Sequence, residues 1–200
     1  MFLSIDGIDG CGKSTQAERL CRWLAARGRQ VVACRDPGST ALGEAIRELL
    51  LERHDLDIRG RAEMLLYMAA RAQLVEEVIR PALAAGKTVV SDRYLLANVV
   101  YQGHGGGLDV ETLWQVGQVA TGGLLPELTV VLDLPVELAA TRLGQSLDRM
   151  ERRGIEFQRR VRDGFLIEAR RFAGWIVVVD ASGTPDAVEA AVRAEVERIA

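Results

Sequence analysis

The chain alternates short continuous apolar runs with longer stretches whose apolar residues recur at helical spacing. Phe2–Ile5, Gln30–Cys34, Lys87–Ser91, Leu128–Leu132 and Trp175–Val179 read as strands, since each is a short, largely apolar run bounded by polar or turn residues. Helical spacing covers Lys13–Arg27 (through Ala17, Leu20 and Leu24), Leu42–Glu52, Arg61–Leu83, Asp109–Ala120, Pro135–Leu143, Ile155–Phe172 and Pro185–Ile199. Gly28 ends the first of these, and a Pro-Gly-Ser-Thr loop at 37–40 leads into the second. Gly103–Gly107 reads as a flexible stretch. There is no repeat and no long linker, so 200 residues are expected to form one domain.

Strands that are apolar on both faces and alternate with helices imply a buried parallel sheet. Right-handed crossovers then give an α/β fold with a doubly wound, five-stranded parallel sheet and helices on both faces. Ligands of such sheets sit at the carboxyl ends of the strands. Here those ends are Asp6–Gly7, Arg35–Asp36, Asp92–Arg93, Asp133 and Asp180.

Composition narrows the function. A net charge of −3 argues against a general nucleic-acid or membrane-surface binder. The first residues lack the basic start and apolar core of a secretory signal, and no apolar run approaches the ~18 residues of a membrane span. Cys11, Cys21 and Cys34 lack metal-ligand spacing and read as reduced thiols. A cytoplasmic location is expected. Lysine occurs only at Lys13 and Lys87, and every other basic side chain is arginine.

Lys13 lies in the one strongly patterned segment. Residues 7–14, G-I-D-G-C-G-K-S, fit G-x-x-x-x-G-K-[ST] between a strand and an amphipathic helix. Gly7, Gly10 and Gly12 let backbone N–H groups, including those of Cys11 and Thr15, turn toward phosphate oxygens, and the helix N-terminus adds its positive end. Lys13 is expected to reach the β- and γ-phosphates of ATP, and Ser14 to ligate Mg²⁺. The motif alone fits switch GTPases, motor ATPases and small-molecule kinases. No N-K-x-D guanine-reading sequence occurs.

Further motifs follow in order: R-D-P-G-S-T-x-L-G-E-x-I-R at 35–47, L-L-Y-M-A-A-R-A-Q at 65–73, D-R-Y-L-L-A-N-V-V-Y-Q-G at 92–103, L-x-P-E-L-T-V-V-L-D-L-P at 124–135 and D-R-M-E at 148–151. With the segment 2–16, they make nearly the whole chain resemble the bacterial thymidylate kinase family of P-loop nucleoside monophosphate kinases. The resemblance implies transfer of the γ-phosphoryl group of ATP to dTMP, with Mg²⁺ as cofactor, in a homodimer that engages neither nucleic acid nor membrane. The acceptor is a phosphate monoester, largely dianionic at pH 7, so it needs no strong base. The difficulty is bringing two anions together, which calls for fixed cations near the strand ends.

Arg93 is the expected grip on the acceptor phosphate, since its planar fork suits phosphate oxygens. Asp92 is expected on the Mg²⁺ side, through water. The resemblance places Asp9 toward the acceptor's 3′-hydroxyl and toward the Mg²⁺ or Arg93. It implies that Tyr67 stacks on the base, Arg71 donates to its O4, and Asn98 reads its edge. Tyr101 would close the sugar's 2′ side, Pro37 would bound the methyl pocket, and Gln102 would join the substrate-binding set. Residues 142–171 hold nine arginines against five acids. They read as a solvated face with i,i+4 pairs, as a nucleic-acid patch, or as a mobile lid over about 144–156. The D-R-M-E match favours Arg149 as the lid arginine serving the transferred group, with Arg152 or Arg153 second, and Arg142 against adenine. Gly10 stands where some relatives carry arginine. Asp6 and Asp36 stand where glutamate is expected, Ser39 replaces a glycine, Ala70 a polar residue, Ala97 a serine and Gly106 an arginine. Two other readings remain open: a P-loop kinase for a different nucleoside monophosphate, and a nucleotide-binding regulatory homologue without turnover.

Overall fold

The computed structural model describes residues 1–53, 55–143 and 149–199. Five strands, β1 (Phe2–Gly7), β2 (Val31–Arg35), β3 (Thr88–Asp92), β4 (Leu128–Asp133) and β5 (Ile176–Asp180), pair in parallel in the order β2-β3-β1-β4-β5. The central strands β3, β1 and β4 are almost wholly buried, which is why their sequences are apolar without alternation. The edge strands β2 and β5 are only partly covered. The register sets Ile5 beside Asp92, Arg35 beside Asp92, and Asp133 beside Asp180. The polar strand ends therefore share one rim of the sheet.

Helix α1 (Lys13–Ala26) follows β1 and packs with α9 (Pro185–Glu197) over the sheet. Between β2 and β3 run α2 (Ala41–Leu51), α3 (Gly60–Leu74), a π-helical turn (Val75–Ile79) and α4 (Arg80–Ala84). The chain is thus helical without a break from Gly60 to Ala84, as expected over Arg61–Leu83, and widens to the π form at Val75–Ile79 just before Pro81. Thr40 caps α2 by accepting from the Gly43 N–H at 2.9 Å, and Asp109 caps α6 (Val110–Thr121) by accepting from the Thr112 N–H at 2.7 Å. Helices α7 (Val136–Arg142) and α8 (Ile155–Arg171) flank a short 3₁₀ turn at Glu151–Arg153. No described helix is long and apolar enough to cross a membrane.

One stretch differs from the sequence expectation. Residues Leu95–Asn98 form α5, which continues as a π-helix over Val99–Gly105, so most of the supposedly flexible Gly103–Gly107 run is helical. Leu95 through Gly103 are buried on every side, so no amphipathic period marks the helix. A Cβ on Gly105 would lie 2.8 Å from both Phe157 and Val161, so this glycine lets α8 approach.

Candidate active site

Past the end of β1, residues 9–16 line a cavity of about 720 Å³, with Gly7 outside its lining. Gly7 has φ +140°, and a Cβ there would sit 2.6 Å from the Leu132 carbonyl oxygen. Gly10 has φ +80° and lies against the Ala139 carbonyl, which leaves no room for a side chain. Lys13 is buried and donates to the Ile8 carbonyl at 2.7 Å. Ser14 Oγ donates to Asp92 Oδ2 at 2.6 Å, so the hydroxyl and carboxylate expected on the metal side do meet. An all-oxygen pair suits a hard cation that keeps waters and phosphate oxygens as its other ligands. Among the described residues, no cluster of three or more His, Cys, Asp or Glu forms a metal cage. Gly10, Cys11, Gly12 and Thr15 line the same cavity; burial pushes the Cys11 thiol up.

Arg93 is the hub between the strands. Its backbone holds φ +69°, a left-handed conformation that favours glycine. The Arg93 N–H donates to Ile5 O at 2.9 Å, and the Ser91 hydroxyl donates to Arg93 O at 2.6 Å, which together impose that conformation. Its guanidinium donates to Gly7 O at 3.0 Å, to Tyr101 Oη at 3.2 Å and to Asp9 Oδ1, and it lies 4.9 Å from the Tyr101 ring centre. Tyr101 Oη in turn donates to Asp9 Oδ2 at 2.9 Å. Burial alone would raise the Asp9 pKa, but Arg93 and Lys13 outweigh it and hold the carboxyl below its ordinary value. Both Asp9 oxygens thus face Arg93 and Tyr101, the arginine side of the two expected for it; these contacts give its metal role no support. Asp6, beneath the cradle, is fully buried, accepts from Ser4 Oγ at 2.7 Å, and has its pKa pushed up to about 6 by burial.

A second cavity, of about 90 Å³, opens beside Arg93 and is lined by Pro37, Tyr67, Arg71, Ala97, Asn98, Tyr101, Gln102 and Met150. Its polar groups form a chain. Arg71 donates to Asp36 Oδ2 at 2.5 Å and to Asn98 Oδ1 at 3.0 Å. Asn98 Nδ2 donates to Gln102 Oε1 at 2.7 Å, and Gln102 Nε2 donates to Glu63 Oε1 at 2.9 Å. Burial pushes the Asp36 carboxyl up, with Arg71 opposing. All the side chains expected in the acceptor pocket therefore line one cavity, with Tyr67 half-buried at its edge. Ser39 has φ +63°, which accounts for glycine being expected there.

The arginine-rich segment falls out differently. Residues 144–148, the first part of the expected lid, lie outside the described residues. Arg149 and Arg153 are not at the cradle: both donate to buried Glu63, and Arg152 is exposed. Their shared partner is the Glu63 carboxylate. Arg142 does line the large cavity, with Ala181, Gly183, Pro185 and Val188 at the end away from the acceptor pocket. Arg162 pairs with Asp133 at 2.6 Å, while Arg159 and Arg171 pair both across elements, with Glu137 at 2.7 Å and Glu111 at 2.5 Å, and along the helix, with Glu156 and Glu168.

Sequence reasoning missed Arg47. It lines both cavities, donates to Pro37 O at 3.1 Å, and has its pKa lowered by burial and by the nearby Arg35 and Arg93. Such a desolvated cation beside two others is suited to an anionic ligand. Its signal was its place, with Arg35, at the ends of the 35–47 motif. The 181–185 turn after β5 carried no local signal.

The family model for thymidylate kinase matches residues 5–192. A thymidylate kinase from Rhodopirellula baltica is 49% identical over 187 residues, covering 94% of this chain and 76% of the relative. One from Bifidobacterium longum is 46% identical over 203 residues, covering 100% and 98%. The crystal structure of thymidylate kinase from Ehrlichia chaffeensis superimposes with a TM-score of 0.82 at 28% identity, covering 98% of each chain. The cradle, the Arg93 hub and the adjoining pocket are thus carried on a chain that belongs to the thymidylate kinase family.

Proposed function

We propose that the protein transfers the γ-phosphoryl group of ATP to the 5′-phosphate of dTMP, releasing dTDP and ADP. The observation that carries this reading is the wall shared by the two cavities, built from Asp9, Asp36, Arg47 and Arg93. A donor in the glycine-rich cradle and an acceptor in the smaller pocket would meet there, between two guanidinium groups. An acceptor phosphate oxygen attacks the γ-phosphorus, the bond to the β-bridging oxygen breaks, and ADP leaves with that electron pair. Lys13 exchanges its hold on Ile8 O for phosphate oxygens. Arg93 presents its fork to the acceptor phosphate and, with Arg47, balances the charge of two converging anions. Ser14 and Asp92 are the residues that would hold Mg²⁺, which supplies positive charge to the donor phosphates when bound. Tyr67 stacks on the base, Arg71 and Asn98 read its edge, Gln102 orients Asn98, Pro37 bounds the 5-methyl group, and Tyr101 sits against the sugar with Asp9. Arg142 and the 181–185 turn receive the adenine.

The chain would act in the cytoplasm as a homodimer. Leu65 on α3 and Val119 on α6 support this, since they stand 50% and 83% exposed on two helices that pack together. Light scattering after size exclusion tests it, with Val119→Arg expected to yield monomer.

The activity is tested by ADP release from Mg-ATP with dTMP, dUMP, dCMP, dGMP and AMP offered separately, beside Arg93→Ala. Turnover driven by dTMP and abolished by the substitution supports the reading. Preference for another acceptor overturns the base assignment. ATP binding with no acceptor turned over overturns the kinase itself, in favour of a regulatory homologue.

A further inference from the structure

Arg149 and Arg153 flank a turn that is tied down at both ends. Arg149 Nε donates to Leu50 O at 2.7 Å, and its backbone N–H to Leu51 O at 3.4 Å, both at the C-terminal end of α2. Carbonyls in a last helical turn lack intrahelical partners and carry partial negative charge, so a guanidinium suits them. The other anchor is Glu63 on α3, whose side chain is 0% exposed. Its carboxylate accepts from Arg149 Nη2, from Arg153 Nη2 at 2.8 Å and from Gln102 Nε2 at 2.9 Å. Arg153 also lies 5.0 Å from the centre of the Phe157 ring, which meets Tyr101 edge-on at 6.1 Å.

Met150 sits between the two arginines in sequence. It is buried and lines the smaller cavity alongside Tyr67, Arg71 and Asn98. A methionine is unbranched and adaptable, so where it packs is decided by what holds its neighbours. Here the neighbours are held by charge-assisted bonds to one dry carboxylate. The same carboxylate terminates the chain Gln102–Asn98–Arg71 that orients the base-reading groups.

We propose that Glu63 is a positioning residue for the acceptor site: by gathering Arg149 and Arg153 it holds Met150 as a wall of the base pocket. The inference rests on the reading that the smaller cavity takes the base of the acceptor nucleotide. It departs from the expectation that these arginines serve the transferred phosphoryl group, and the two roles differ kinetically. A wall of the acceptor pocket acts on acceptor binding. Charge delivered to the transferred group acts on turnover at saturation.

The experiment measures kcat, KM for the acceptor and KM for ATP in the wild type, Glu63→Gln, Arg153→Gln, Met150→Ala and the Arg153→Gln/Met150→Ala double variant, with Tm recorded for each. Wild-type turnover of dTMP tests the functional reading by itself; if another monophosphate is preferred, the same ratios are taken with that acceptor. Each single substitution is expected to raise the acceptor KM about tenfold, the size of losing one packing group from a pocket. KM for ATP and kcat stay within about twofold of wild type. Glu63→Gln also disturbs the Gln102 bond, so the clamp's own part is read from Arg153→Gln, which leaves that bond in place: combined with Met150→Ala it should rise no more than about twofold beyond the larger single effect. A kcat loss of tenfold or more at unchanged acceptor KM overturns the proposal and returns the arginines to the phosphoryl group. So do single effects that multiply in the double variant, or a Glu63→Gln enzyme with wild-type constants. If Glu63→Gln does not fold, Arg153→Gln breaks the same clamp from its more exposed end and is judged by the same split.

Discussion

Asp6 lies buried at the end of β1 with its pKa raised to about 6, against 3.8 for an unperturbed aspartate. Burial dominates that rise, and the Ser4 hydrogen bond, Arg93 and Lys13 only partly oppose it. The folded protein therefore binds this proton more tightly than the unfolded chain does. The stability associated with it is fully present below about pH 4 and is lost as pH rises through about 6. The shift is roughly two pK units, which at 1.36 kcal/mol each amounts to about 3 kcal/mol by neutral pH. Asp6→Asn leaves a neutral side chain of the same shape that cannot titrate. Any cost of its new amide N–H₂ is the same at every pH and cancels from the trend. The stability of Asp6→Asn relative to wild type should thus improve by about 3 kcal/mol between about pH 4 and pH 7.5. For a chain of this length that is a relative gain in Tm of roughly 6–12 °C. Thermal melts of both proteins, followed by circular dichroism in matched buffers, measure it directly. A Tm difference that stays constant with pH, or that moves toward wild type as pH rises, refutes the reasoning.

Arg71→Met strands the buried Asp36 carboxylate and should cost about 3–5 kcal/mol in urea denaturation, whereas Arg71→Met with Asp36→Leu recovers most of that loss. Asp92→Asn weakens the oxygen pair with Ser14, so the Mg²⁺ concentration for half-maximal turnover should rise about tenfold, as a Mg²⁺ titration at fixed ATP will read.

The strands were legible because their burial is written into contiguous apolar residues: the predicted and observed ranges differ by one or two residues at the ends. The cradle was legible because its seven-residue G-x-x-x-x-G-K core is local. The helix over 95–105 was hidden because it is buried nearly all round, with Asn98 and Gln102 inside as well, and ends in glycines; only its contact with Phe157 and Val161 explains Gly105. The positions of Arg149 and Arg153 could not be read locally either. Their partner, Glu63, lies 86 and 90 residues away, and a four-residue motif says nothing about which distant carboxylate folds against it. Arg47 shows a lesser form of the limit: it closes the 35–47 motif, but only the sheet rim that brings it beside Arg93 shows which groups it serves.

The left-handed backbone at Arg93 has a bearing on any attempt to make this protein hardier. A non-glycine residue held at φ +69° costs on the order of 1–3 kcal/mol. Glycine or asparagine at that position would relax the main chain. Either would also remove the guanidinium that joins β1, Asp9 and Tyr101 across the two cavities. The strain released in the main chain and the cost of leaving Asp9 without its partner oppose each other at one residue, so a melting temperature at position 93 reports their difference, while turnover reports the guanidinium alone.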